Sequence, residues 1–207
     1  MTDLGRFLLG GLLFFLLVVI PVLWYLKRRG ANRTQIVLYI LATWIVWNLA
    51  LAPIHEGSHL LVGRVAGLRL RDYQLIQHFW AGDFVRGSVS WEGGSQWQIL
   101  LSCQAPYLID GVIILLGFLL LRWRNTVSLS VGTLVLVVTF LRSVFDVAIN
   151  YSADAVFGGS GDFRYLCSSY PCAAVHISAW SLMLLGAVGA MVTITPFSTR
   201  VDPSLAE

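Results

Sequence analysis

At 207 residues the chain is 57% hydrophobic and 12% charged, with a mean hydropathy of +0.75. A soluble fold of this size has too little polar surface to cover so much apolar mass, so an ordinary globular domain is excluded and lipid is expected to be the solvent for most of the surface. The net charge of +3 is modest, Lys27 is the one lysine among 14 basic residues, and no basic tract is interleaved with base-stacking aromatics, so nucleic acid is not an expected partner.

Five apolar segments are each long enough to cross about 30 Å of hydrocarbon as a helix. The first, Phe7–Leu26, lacks a small-residue cleavage site and is followed by Lys27, Arg28 and Arg29. It is expected to be a retained anchor and not a cleaved leader. The second, Ile36–Gly67, is longer than one perpendicular crossing needs. Pro53 removes a backbone donor inside it and favours a kink, which would help admit water. Gly57 and Gly63 allow close approach of a neighbouring backbone.

The next stretch changes period. Leu68–Ile76 and Phe84–Trp91 both alternate apolar with polar residues, Ala81-Gly82-Asp83 lies between them, and Glu92-Gly93-Gly94-Ser95 follows. This predicts two short strands joined by a turn. Such a hairpin offers an edge to an extended peptide, or simply caps the helix ends. Three more apolar segments follow, Gln98–Leu121, Val127–Ile149 and Ala173–Thr195, and the tail from Arg200 to Glu207 is expected to be disordered. The expected fold is an α-helical polytopic membrane protein of about five transmembrane helices with a small β-hairpin, forming a single membrane domain over residues 1–207.

The basic loops suggest an orientation. Lys27, Arg28, Arg29 and Arg33 separate the first two segments, Arg122 and Arg124 separate the third and fourth, and Arg200 follows the fifth. All three places fall on one side, which the positive-inside rule makes cytoplasmic. The loops 68–97 and 150–171 then lie outside, although Arg69, Arg71 and Arg86 sit in the first of them.

The chemistry concentrates in His55-Glu56-Gly57-Ser58-His59, an H-E-x-x-H motif in the second segment. Residues four apart share a helix face, so His55 and His59 can offer imidazole nitrogens to one metal ion. Glu56 is then positioned as general base toward water. Ionisable groups inside an apolar segment are costly and usually functional.

The order of an H-E-x-x-H helix, a short β-rich loop, a helix opening near Ala105-Pro106 and a further helix carrying Asp resembles the site-2 protease family of intramembrane zinc metalloproteases, particularly its small bacterial branch. The resemblance covers roughly residues 35 to 165. It implies a multi-pass protein of a bacterial cell membrane, a Zn2+ cofactor, and cleavage of peptide bonds in membrane-embedded substrates. It also implies a third ligand, an Asp from a later helix, often in an Asn-Pro-rich run ending Leu-Asp-Gly. Asp110-Gly111 has that local spelling, but it lies one helix early and no Asn-Pro run accompanies it.

Topology orders the candidates for that ligand. His55 and His59 lie toward the outer end of segment two, so a partner on segment four should lie near its end, as Asp146 does. Asp146 is therefore the expected third ligand. Asp162, in a turn-rich loop able to fold back over the site, and Asp110, about 18 Å along segment three, are the alternatives. Asp146 has a competing role as the ion-pair partner of Arg142, four residues before it.

Asn150, one turn beyond Asp146, is read as orienting a ligand or binding substrate backbone. Asn48 is expected to bond another helix, His78 to be solvated, His176 to be interfacial, and Cys103 to pack as a small apolar residue. Cys167 and Cys172 are five apart, and either a disulfide or two free thiols fits. Besides intramembrane proteolysis, a non-catalytic membrane scaffold or chaperone that kept a metal-binding motif remains a reading, and an ion-binding permease is a further one that five spans without repeats disfavour.

Overall fold

The computed structural model describes residues 3–75, 87–123 and 126–195. His78, Arg86, Arg124, Arg200, the turn Ala81-Gly82-Asp83 and the tail lie outside the described residues. Five helices are long and apolar enough to cross a membrane: Leu8–Arg28, Arg33–Val65, Gln96–Trp123, Leu129–Val156 and Cys172–Ile194. Each overlaps a segment expected from hydropathy.

In finer detail, α1 (Asp3–Phe14) runs through a π-turn into α2 (Ile20–Arg28). The helix α3 (Arg33–Val65) starts at a capping box, in which the Asn32 side chain accepts from Gln35 N at 2.9 Å and Gln35 accepts from Asn32 N at 3.0 Å. At 33 residues α3 reaches about 50 Å and continues as helix through Pro53. Gly67, with φ +85°, follows its end.

The strands β1 (Arg69–Gln74) and β2 (Ser88–Glu92) pair antiparallel from Arg69–Glu92 to Gln74–Ser88, with an irregularity between Leu70 and Asp72. The two expected strands thus pair antiparallel among the described residues. Next comes α4 (Gln96–Leu120). Gln98 in its first turn accepts from Ser95 N at 2.8 Å and donates to Ala66 O at 2.6 Å, so one side chain ties the end of α3 to the start of α4.

The fourth span is α5 (Leu129–Val135), a π-turn over Leu136–Leu141, α6 (Arg142–Tyr151) and a second π-turn over Ser152–Val156. Its apolar window is 83% buried, against 33% or less in the other four, which makes it the central helix. Phe140, Phe145 and Leu136 on it pack with Val18, Val22, Trp47, Leu51 and Ile114 from three neighbouring helices. In lipid such association rests on close packing rather than on water exclusion. Gly186 and Gly189 on the last helix show it: a Cβ at either would overlap Val144 or Phe140 of the central span.

The segment after α6, read from the sequence as a loop, is more ordered than that. The helix runs on to Val156, and a turn at Gly158–Gly161 leads into α7 (Asp162–Ser169), followed by α8 (Cys172–Ile194). Cys167 and Cys172 form a disulfide that joins α7 to the start of α8.

Candidate metal centre

The i, i+4 spacing on α3 brings both histidines of the motif to one buried face, with His55 Nε2 and His59 Nε2 3.2 Å apart. A third donor comes from α7. Asp162 Oδ2 lies 3.1 Å from His59 Nε2 and 3.5 Å from His55 Nε2. The three atoms form a nearly equilateral triangle.

The other nitrogen of each imidazole is occupied. His55 Nδ1 is 2.9 Å from Asp146 Oδ2, and His59 Nδ1 is 2.8 Å from the Ser102 carbonyl oxygen on α4. A carboxylate and a carbonyl accept only, so both Nδ1 atoms carry the proton and donate. With Nε2 unprotonated, the two rings direct lone pairs at each other and at a carboxylate oxygen. Three acceptors converging at this distance repel unless a cation lies among them.

A zinc ion fits the triangle. With Zn–N and Zn–O of roughly 2.0–2.1 Å and tetrahedral angles, the ligand atoms lie about 3.3–3.4 Å apart. The observed edges of 3.1, 3.2 and 3.5 Å bracket that value. Two imidazoles and one carboxylate are also a borderline-soft donor set suited to zinc.

Asp146, expected as the third ligand, instead meets the far nitrogen of His55. The helix expected to provide the carboxylate does reach the site, but behind the ring. Asp110, the other alternative, is fully buried on α4 and pairs with Arg142. Asn150 donates from Nδ2 to Asp146 Oδ1 at 2.9 Å and to Asp146 O at 3.0 Å. Asn48, expected to bond another helix, donates at 2.7 Å to Trp44 O of its own helix. His176 stands between Tyr151 Oη at 3.0 Å and Cys172 Sγ at 3.3 Å, away from the triangle, and Cys103 is a half-buried free thiol.

Sequence reasoning missed three contributors. Asp154 holds the turn that presents Asp162: its carboxylate accepts from Gly161 N at 3.0 Å and Phe163 N at 3.1 Å, the backbone groups on either side of Asp162. Tyr107 on α4 donates its hydroxyl to Asp162 Oδ2 at 3.2 Å, and its ring packs on Phe163. Ser102 offers its carbonyl to His59, while its hydroxyl accepts from Trp91 Nε1 at 3.1 Å and so ties β2 to the same turn of α4. Only clusters of acceptors near glycines, such as Asp154 before Gly158-Gly159-Ser160-Gly161, hint at such a turn.

Compared with family models, curated proteins and solved structures, the chain matches none.

Glu56 is half-buried beside the triangle and interacts electrostatically with both histidines. The backbone of Gly87, just before β2, lies against it so closely that a Cβ there would overlap the Glu56 side chain. The hairpin thus closes one side of the site.

Proposed function

We propose that this protein is a zinc-dependent endopeptidase that hydrolyses peptide bonds of membrane-embedded substrates. The observation that carries the proposal is the triangle of His55 Nε2, His59 Nε2 and Asp162 Oδ2, whose edges match a tetrahedral zinc, with Glu56 beside it. His55, His59 and Asp162 would hold the ion. Three protein ligands leave a fourth position open, which is the pattern of catalytic rather than structural zinc.

A zinc ion so held would supply Lewis acidity toward a carbonyl oxygen and toward water. Glu56 takes a proton from the attacking water as its oxygen adds to the carbonyl carbon. It then delivers that proton to the amide nitrogen as the C–N bond breaks. Asp146 and the Ser102 carbonyl keep the imidazoles in the tautomer that turns Nε2 inward. The five apolar helices support a substrate that lies in the bilayer, and such a substrate must unwind locally, because helical carbonyls are already hydrogen-bonded.

The test combines metal content with cleavage. Protein purified in detergent without chelator should carry about one zinc per chain, and His59→Ala should lose it. Membranes of cells expressing the protein should contain new N-termini within apolar segments, detected by mass spectrometry. These should disappear in Glu56→Gln, which keeps its zinc. Zinc-free wild type refutes the proposal. Bound zinc with the same N-termini in wild type and Glu56→Gln favours the scaffold.

A further inference from the structure

The mechanism uses Asp146 but leaves unexplained the most deeply buried charges of the molecule. Arg142 at the start of α6 and Asp110 on α4 have side chains 1% and 0% exposed. Arg142 Nη2 donates to Asp110 Oδ1 and, at 2.9 Å, to Ser143 Oγ, which itself donates to Asp110 Oδ1 at 3.1 Å. Such a pair is a poor way to gain stability: desolvating both ions offsets most of their attraction, and an apolar pair of similar volume is often as stable. The pair is also incompletely satisfied. Asp110 Oδ2 and Arg142 Nε and Nη1 have no hydrogen-bond partner among the described residues.

The direction of the unsatisfied guanidinium nitrogen gives the pair a purpose. Arg142 Nη1 lies 3.7 Å from Asp146 Oδ2, the same oxygen that accepts from His55 Nδ1. A continuous chain therefore runs from the triangle through His55, Asp146 and Arg142 to Asp110, crossing from α3 to α6 to α4. Asp146, Arg142 and Asp110 alternate in sign, and Asp110 is fixed by two hydrogen bonds. The π-turn over Leu136–Leu141 ends immediately before Arg142, and such turns are frequent at functional sites.

We infer that Arg142 and Asp110 are positioning residues of the metal centre, acting through Asp146 to set the orientation of His55. The inference rests on the zinc reading. Asp110 accepts from the guanidinium, the guanidinium stands 3.7 Å from the Asp146 carboxylate as its ion-pair partner, and the carboxylate accepts from the ring. Without Arg142 the Asp146 carboxylate keeps Asn150 at Oδ1 but loses the cation beside Oδ2, the oxygen that orients His55.

The test replaces the pair by apolar residues of similar size, Arg142→Met with Asp110→Leu, in full-length protein in detergent. Competition for Zn2+ with a chromophoric chelator and the visible spectrum of bound Co2+ are measured beside a thermal melt. The double variant should fold, bind Zn2+ about 10 to 100-fold more weakly, and show an altered Co2+ spectrum. In an Asp146→Asn background the same double change should add no further loss, since both act through one carboxylate. Asp110→Asn, which keeps the shape of the pair, is the second variant and should shift the Co2+ spectrum in the same sense. Wild-type affinity and spectrum in either folded variant overturn the inference. Failure of both to fold overturns it too, because the pair is then a folding requirement alone. Wild type that binds no metal refutes the zinc reading itself, whereas metal-binding wild type with unaffected variants refutes only this inference.

Discussion

On the proposed reading Asp162 takes the ligand position expected of Asp146, which stands behind His55, and substituting each separates ligand from support. Asp162→Asn keeps the volume and the Tyr107 contact but replaces an anionic oxygen by an amide. One of three donor atoms loses its charge, in a site where the other two are neutral imidazoles. Asp146→Asn leaves all three donor atoms in place and disturbs only the hydrogen bond at His55 Nδ1, 2.9 Å from the carboxylate. Losses at such supporting positions run about 10 to 100-fold in metal affinity, or roughly 1.4 to 2.7 kcal/mol. Losing the anionic ligand should exceed that range. The expected order is therefore wild type, then Asp146→Asn weaker by 10 to 100-fold, then Asp162→Asn weaker by more than about 100-fold. Zinc competition against a chromophoric chelator, with both variants matched to wild type by size exclusion and thermal melting, reads the order directly. The reverse order, with Asp146→Asn losing the metal and Asp162→Asn retaining it, would falsify the ligand assignment and return the site to the arrangement expected from topology.

Two further outcomes follow from the same geometry. Asp154→Ala removes the acceptor for Gly161 N and Phe163 N, so Asp162 loses its fixed approach. Zinc affinity should fall by about 10 to 100-fold, read by chelator competition, and the melting temperature should drop as two backbone donors lose their partner, at about 1–3 kcal/mol for each that stays buried; unchanged affinity would mean that the turn holds itself. Gly87→Ala places a methyl group where the Glu56 side chain lies, so cleavage at the new N-termini should fall by about 10²-fold with zinc content unchanged, since a displacement of about 1 Å can carry that penalty. Normal cleavage would show that Glu56 works in another position.

What could be read from the sequence was whatever depends on local periodicity. The i, i+4 histidines need only a helix to converge, and apolar runs of about 20 residues need only a bilayer's length scale, so the motif's geometry and five long apolar helices were legible. The alternation in Leu68–Ile76 likewise announced β1. The third donor was not legible, because it depends on where the chain goes after the central helix. Asp162 reaches the histidines only because α6 continues to Val156, turns over glycines and is pinned by Asp154. Nor could the spelling of Asp146 show which nitrogen of His55 it meets. A helix approaching the site from behind the ring and one approaching from in front have the same sequence. Ser102 acts through a backbone carbonyl, which every residue possesses, and so left no trace at all.

The buried charges also bear on whether a metal belongs here. Asp110, Asp146 and Asp162 are three carboxylates gathered within a bundle of apolar helices, and Arg142 is the one buried cation beside them among the described residues. Uncompensated charge in such a setting is expensive, and half-compensated networks are worse than apolar ones. One divalent ion at the histidine triangle would offset part of the negative charge that Arg142 leaves outstanding. Protonated histidines would offer the same charge. They would do so with two like-charged rings 3.2 Å apart at their Nε2 atoms, a repulsion that a shared metal converts into two coordinate bonds. This charge arrangement supports the proposed divalent ion over a doubly protonated pair. It also gives Arg142 and the ion complementary shares of a single electrostatic arrangement, with His55 and Asp146 as the link between them.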